Sequence, residues 1–292
     1  ILETTNKLDL LKKYLNLAKK KFPEEKILLI LEANYLYRKK DFINSLKYLK
    51  KINLSDDLTN NSNYLLMYYD LLSKCLEYKG DFKEAFISIT KRNTIKKNLP
   101  ENAKFEKKII LNLIHDYKKY FVKENIKKFS SNNEILNKKD PTFLVGFPRS
   151  GTTLLDTILR THSKINVLEE KPFISKLRDN FFETHNNAIN SLEILNKKDI
   201  INLQSQYFSL FDLEENKSVY KKKIIDKFPL NIIEIGFIKQ IFPNSNFIVA
   251  LRHPCDVVLS CFSTNFKINE GMANFYDLES SALFYDEVFS LF

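Results

Sequence analysis

The chain has 292 residues, 44% of them hydrophobic and 28% charged, which describes a globular protein of one large domain or two ordinary ones. Its net charge of +10 lies wholly in one half: residues 1–140 carry 30 Lys and Arg against 18 Asp and Glu (+12), which leaves 16 against 18 (−2) for residues 141–292. Scattered lysines without interleaved aromatics read as solvated surface and no nucleic-acid partner is expected, while three cysteines are too few for a disulfide framework and point to a reducing, cytoplasmic compartment.

Residues 1–127 carry helical spacing throughout. Residues 8–22 read as a helix ending at Lys-Phe-Pro, and residues 27–40 as a second one. The latter runs into Asp41-Phe42 and a helix carrying Leu46, Tyr48 and Leu49. Residues 64–79 repeat the idea, with Tyr64, Leu65, Tyr68, Leu71, Leu72, Cys75 and Leu76 at intervals of three and four, before Gly80-Asp81-Phe82 and Ala85-Phe86. A helix, a short Gly/Asp turn and a second helix opening on an aromatic is the tetratricopeptide unit. Asp41 and Asp81 are 40 residues apart, longer than the roughly 34 of a regular repeat, and the polar spacer 55–63 can absorb the excess. A non-repetitive helical bundle is the alternative. No apolar run approaches the roughly 18 residues of a membrane span.

Residues 128–141 are polar turn formers closed by a proline and read as a linker. Beyond them the pattern changes to strand 142–146, helix 151–161, strand 165–168, helices across 171–215, strand 223–226, helix 230–241, strand 246–251 and helix 255–265. Such alternation implies an α/β domain over 142–292 with a mostly parallel sheet, preceded by the helical domain.

The most informative stretch is Phe-Leu-Val-Gly-Phe-Pro-Arg-Ser-Gly-Thr-Thr-Leu-Leu at 143–155. A strand enters a glycine-bounded loop and leaves as a helix, with the P-loop spacing of Gly146, four residues, then Gly151. A helix N-terminus offers an anion bare N–H groups and a favourable dipole, and Ser150, Thr152 and Thr153 add hydroxyls. Thr152 stands where a nucleoside-triphosphate loop requires Lys, and the cation is Arg149 instead. The strand 246–251 leads into Arg252 rather than the Asp that would hold magnesium. The loop therefore reads as a metal-free anion site. A second one follows, because Arg252 at a strand end and Ser260 eight residues later in a helix could converge on one phosphate.

With both motifs present in order, the chain resembles the sulfotransferases that use 3′-phosphoadenosine 5′-phosphosulfate (PAPS). It is most similar to tyrosylprotein sulfotransferases and their bacterial relatives with N-terminal tetratricopeptide repeats. The resemblance covers about 142–266 and, less closely, 1–127. It implies that Arg149, Ser150, Gly151, Thr152, Thr153 and Leu154 cradle the 5′-phosphosulfate and that Arg252 and Ser260 bind the 3′-phosphate. It also implies a catalytic base at the second Glu of a pair 21 residues after the loop arginine, which is Glu170 of Glu169-Glu170. The family's catalytic lysine corresponds to Lys227 in Ile-Ile-Asp-Lys-Phe-Pro, where the family more often has Lys-Asp-Pro.

These residue types suit sulfuryl transfer, in which positioning and charge stabilisation dominate. Glu170 could take the acceptor hydroxyl's proton, while Arg149 and Lys227 stabilise charge on the sulfuryl group and on the bridging oxygen. The blander alternatives are an ion pair of Glu170 with Arg149 and a solvated Lys227 beside the lysines at 221–223. Among His115, His162, His185 and His253 none has a clear claim to be a base, and no His/Cys set has metal-ligand spacing.

The expected function is transfer of a sulfuryl group from PAPS to an acceptor hydroxyl, with peptidyl tyrosine among the candidates and the helical repeats able to hold a peptide or protein. A repeat-based binding module with an inactive nucleotide-binding-like domain, and a metal-dependent kinase, are the rivals. Family members continue past the 3′-phosphate motif, whereas this sequence stops 40 residues after Arg252 inside an apparent helix over 278–291, so a chain truncated at its C-terminus is expected.

Overall fold

The structure, a computed structural model, describes residues 5, 7–54, 61–129, 140–185, 189–214 and 222–292. The spacer expected over 55–63 lies outside them up to residue 60, as does most of the boundary stretch, residues 130–139. The chain divides into two compact units, residues 1–106 with 262–277, and residues 107–261 with 278–292. Among the described residues no helix is long and apolar enough to cross a membrane.

The first unit is helical: α1 (Leu8–Lys21), α2 (Ile27–Arg38), α3 (Phe42–Lys50), α4 (Ser62–Lys79) and α5 (Phe82–Lys97). Ile30 and Ala33 of α2, Leu46 and Leu49 of α3, Leu71 and Cys75 of α4 and Ala85 of α5 share one core, as their spacing predicts. The same turn is built twice. Lys40 (φ 64°) and Gly80 (φ 82°) are left-handed at corresponding places. The Asp41 N–H donates to the Leu36 carbonyl and the Asp81 N–H to that of Leu76, both at 2.9 Å, which closes a Schellman motif on each preceding helix. Each aspartate then caps the next helix, Asp41 accepting from the Asn44 N–H at 3.2 Å and Asp81 from that of Glu84 at 3.5 Å. Arg92 of α5 is fully buried; it donates to Asp70 at 2.6 Å and to the Ser263 carbonyl at 3.0 Å, while Asn93 donates to the Phe262 carbonyl at 3.0 Å. These bonds anchor 262–277 within the helical unit.

The second unit opens with α6 (Lys107–Tyr120) and α7 (Lys123–Phe129) and then alternates strand and helix: β1 (Thr142–Gly146), α8 (Thr152–Arg160), β2 (Ile165–Glu169), α9 (Phe173–Thr184), α10 (Lys197–Glu214), β3 (Lys223–Lys227), α11 (Ile235–Ile241), β4 (Asn246–Ala250), α12 (Pro254–Ser263) and α13 (Leu278–Leu291). The sheet order is β2-β3-β1-β4 and every pair is parallel. This is the α/β arrangement that the alternation predicts. β1 is buried along its whole length, as a parallel strand covered on both faces must be. One face packs Leu144, Val167 and Ile225 against Leu155 and Leu159 of α8; on the other, Phe143 meets Tyr207 and Phe242.

The single helix expected over 230–241 is instead a 3₁₀ turn, Pro229–Ile232, followed by α11. Glu234 sits at the break with a buried carboxylate that accepts from Tyr117 Oη at 2.7 Å and from Arg178. A buried carboxylate without such partners would be strongly unfavourable.

Candidate active site

Parallel strands deliver their C-terminal ends to one edge of the sheet, and the residues singled out above stand there. The 147–153 loop follows β1, Glu170 follows β2, Lys227 ends β3 and Arg252 lies two residues past β4. Register fixes the neighbours, with Gly146 opposite Ala250, Leu144 opposite Lys227, and Lys227 opposite Glu169. Crevices at such ends are where open α/β sheets bind ligands.

Gly146 is required by crowding, since a Cβ there would lie 2.7 Å from the Ala250 carbonyl oxygen and 2.8 Å from Ser150 Oγ. Arg149 takes a left-handed conformation (φ 69°), as does Gly151 (φ 101°) at the N-cap of α8. The N-cap makes no side-chain bond, so the first-turn N–H groups of α8 are left to other acceptors. Ser150 Oγ is buried and has no hydrogen-bond partner in the protein. Thr152 is buried, whereas Thr153 and Leu154 are exposed. An uncapped helix start beside an orphaned hydroxyl and an arginine is suited to an anion.

The two motifs, separated by more than a hundred residues, meet. Arg149 Nε donates to Ser260 Oγ at 3.0 Å, Arg252 Nη1 donates to the Arg149 carbonyl at 3.3 Å, and Cys261 Sγ donates to the Pro148 carbonyl at 3.2 Å. Burial pushes the Cys261 thiol up to about 12 against the pull of Arg149, so it acts as a packed donor and not as a thiolate. Arg252 also approaches Asp256, in the first turn of the helix that follows it, at 3.7 Å.

Glu170 is left-handed as well (φ 48°), so two of the three such non-glycine residues among those described are candidate site residues. Its N–H donates to the Lys227 carbonyl at 2.8 Å, which extends the β2–β3 pairing by one residue. Its Oε1 accepts from Lys227 Nζ at 2.6 Å. Lys227 is fully buried, and its ammonium also faces Glu169 at 3.7 Å and Asp156 at 3.9 Å. Asp156 is itself buried, with both oxygens held by Arg160, which reaches Glu169 at 3.3 Å.

The alternative of a solvated Lys227 is thus overturned, and the ion pair of Glu170 is with Lys227. Asp156 and Arg160 were not singled out by sequence reasoning. Four residues apart on a helix, they carry the signature of an ordinary surface pair. His162 accepts from the Lys164 N–H at 3.2 Å and so closes the turn after α8, and His185 bonds the Phe181 carbonyl. Among the described residues no group of three or more His, Cys, Asp or Glu is placed to hold a metal ion.

An uncharacterised protein of Aquifex aeolicus is 27% identical over 222 residues, covering 71% of this chain and 27% of the relative. The protein-tyrosine sulfotransferase of Drosophila melanogaster is 26% identical over 137 residues, covering 46% of this chain and 26% of the relative. The nodulation protein NoeE of Sinorhizobium fredii is 26% identical over 130 residues, covering 42% and 31%. The chain spans between a quarter and a third of the length of these relatives. A sequence model of the sulfotransferase family matches residues 141–290, the segment that holds every strand of the sheet and every candidate site residue. With the match extending over half of its length, the chain belongs to the sulfotransferase family.

Proposed function

We propose that the chain transfers a sulfuryl group from PAPS to an acceptor hydroxyl, with Glu170 as general base and Arg149 and Lys227 as the cations that stabilise charge. The observation that carries this reading is the junction of Arg149, Ser260 and Arg252, which joins two anion motifs into one site. The orphaned Ser150 hydroxyl, the uncapped start of α8 and the crowding at Gly146 fit a phosphosulfate held as in a P-loop, so that Ser150, Gly151, Thr152, Thr153 and Leu154 surround the 5′ end and Arg252 and Ser260 take the 3′-phosphate.

PAPS supplies the sulfuryl group and leaves as adenosine 3′,5′-bisphosphate. Glu170 keeps Oε1 on Lys227, and its half-exposed side chain presents Oε2 to the acceptor hydroxyl, from which it takes the proton. Arg149 and the Lys227 ammonium are fixed positive charges whose positions need no reorganisation.

The acceptor we favour is a tyrosyl peptide, which is supported by the name of the Drosophila relative. The twice-built turn supports a tetratricopeptide-like array within the helical unit that would hold such a peptide. Calorimetry with adenosine 3′,5′-bisphosphate tests the reading. Binding by the chain and its loss in R252A are expected; no binding, or equal binding by R252A, would favour a module with an inactive nucleotide-binding-like domain.

A further inference from the structure

The Lys227 ammonium has no access to water, so its charge depends on the anions around it. Three carboxylates face it, and they differ in kind. Glu170 and Glu169 are about half exposed, at 54% and 55%, while Asp156 is 3% exposed. As the base, Glu170 becomes neutral when it accepts the acceptor's proton, and at that moment Lys227 loses its nearest counter-charge. Asp156 takes no proton in this scheme, and Arg160 grips both of its oxygens.

We propose that Asp156 is a positioning residue for sulfuryl transfer: a buried carboxylate, 3.9 Å from Lys227 Nζ, that keeps the ammonium in place while Glu170 is protonated. The proposal rests on the reading of Glu170 and Lys227 given above. Asp156 touches no substrate in this scheme, and its effect passes through Lys227. Arg160 serves as a clamp on Asp156 rather than as a second cation for the reaction.

Two readouts on the unaltered chain, D156N, D156E and R160Q test it. The first is kinetic. D156N is expected to lower kcat by about 10- to 100-fold, the scale of a displaced catalytic group, with acceptor KM and affinity for adenosine 3′,5′-bisphosphate near those of the unaltered chain. D156E should restore most of the loss, and R160Q, which removes the clamp but leaves the carboxylate facing Lys227, should lower kcat by only a few-fold. An unchanged kcat in D156N, or an equal fall in nucleotide affinity, overturns the proposal.

The second readout needs no turnover. Lys227 is labelled by reductive methylation and quantified by peptide mass spectrometry. Labelling in the unaltered chain should be slow, several-fold faster in D156N and intermediate in R160Q. Equal labelling in D156N overturns the proposal even if the chain proves inactive. Faster labelling in a chain that neither binds the nucleotide nor turns over would uphold the anchor and reject the sulfuryl-transfer reading instead. Where D156N does not fold, R160Q decides: a few-fold loss of kcat together with faster Lys227 labelling supports the anchor, and kcat and labelling like those of the unaltered chain overturn it.

Discussion

The main-chain N–H of Glu170 donates to the carbonyl of Lys227 at 2.8 Å, and the Lys227 ammonium donates back to Glu170 Oε1 at 2.6 Å. Main chain and side chain thus close one reciprocal pair across the ends of β2 and β3. The left-handed backbone of Glu170 (φ 48°) is tolerated because both bonds hold it there. In the proposed mechanism a base fixed in this way would need no rearrangement before it meets an acceptor.

E170Q preserves the shape and the main-chain bond but cannot take a proton. We expect its affinity for adenosine 3′,5′-bisphosphate to match that of the unaltered chain and its kcat to fall by about 10²- to 10⁴-fold, the usual contribution of a general base. Calorimetry and a radiolabelled sulfate-transfer assay on the same preparation separate the two quantities. Retained turnover would remove Glu170 from the mechanism.

The Arg149–Ser260–Arg252 junction makes a different prediction, one about binding. R252A removes a half-exposed cation without leaving a buried group unpaired, so the fold should survive. Nucleotide affinity should fall by about 10- to 100-fold, the value of one or two charge-assisted hydrogen bonds. The dependence of that affinity on salt should also become shallower. S260A should weaken binding less, because it removes a neutral hydroxyl and leaves Arg149 with its charge. Titrations at two ionic strengths check both.

Much of this site was legible in the sequence because its parts are local. Gly146, Arg149 and Gly151 lie in one short loop, and Arg252 and Ser260 on one strand-to-helix turn. The burial of Lys227 was not legible. It follows from pairing opposite Leu144 and Glu169 and from α8 bringing Asp156 over it, and these are contacts between residues up to 83 positions apart. The same holds for residues 262–277, whose place in the helical unit is set by Arg92 and Asn93 through bonds that span about 170 positions. In the helical unit the two Asp-Phe turns were visible, whereas the left-handed lysine at the first of them was not, because Lys has no preference for that conformation.

That lysine gives a stability prediction. Lys40 and Gly80 occupy equivalent left-handed positions, with φ 64° and 82°. A side chain there is disfavoured by roughly 1 kcal/mol, and a Cβ at Gly80 would meet nothing within 4 Å, so backbone strain is the whole effect. K40G should therefore stabilise the helical unit by about 0.5–1 kcal/mol, and G80A should destabilise it by a similar amount. Urea unfolding followed by circular dichroism reads both. Opposite signs at the two positions are expected, and equal signs would mean that the turns are not equivalent.

Asp226 lies one residue before Lys227, fully buried, with Oδ2 accepting from Tyr207 Oη at 2.9 Å and Oδ1 without a partner. Burial raises its pKa from 3.8 to about 7, opposed by the tyrosine hydrogen bond. Between these values the unfolded chain has released the proton and the folded chain has kept it. The unfolded state therefore binds fewer protons, and stability falls as pH rises through that window. The full swing is about 2–4 kcal/mol. D226N keeps an acceptor for Tyr207 and has nothing to titrate, so its stability should lose this component of the decline. Thermal melts of both proteins at pH 5, 6, 7 and 8 should show a gap in melting temperature that moves in favour of D226N as pH rises. A gap that stays constant over that range would mean that Asp226 has the same charge in the folded and unfolded chains, and that its burial is compensated by something other than protonation.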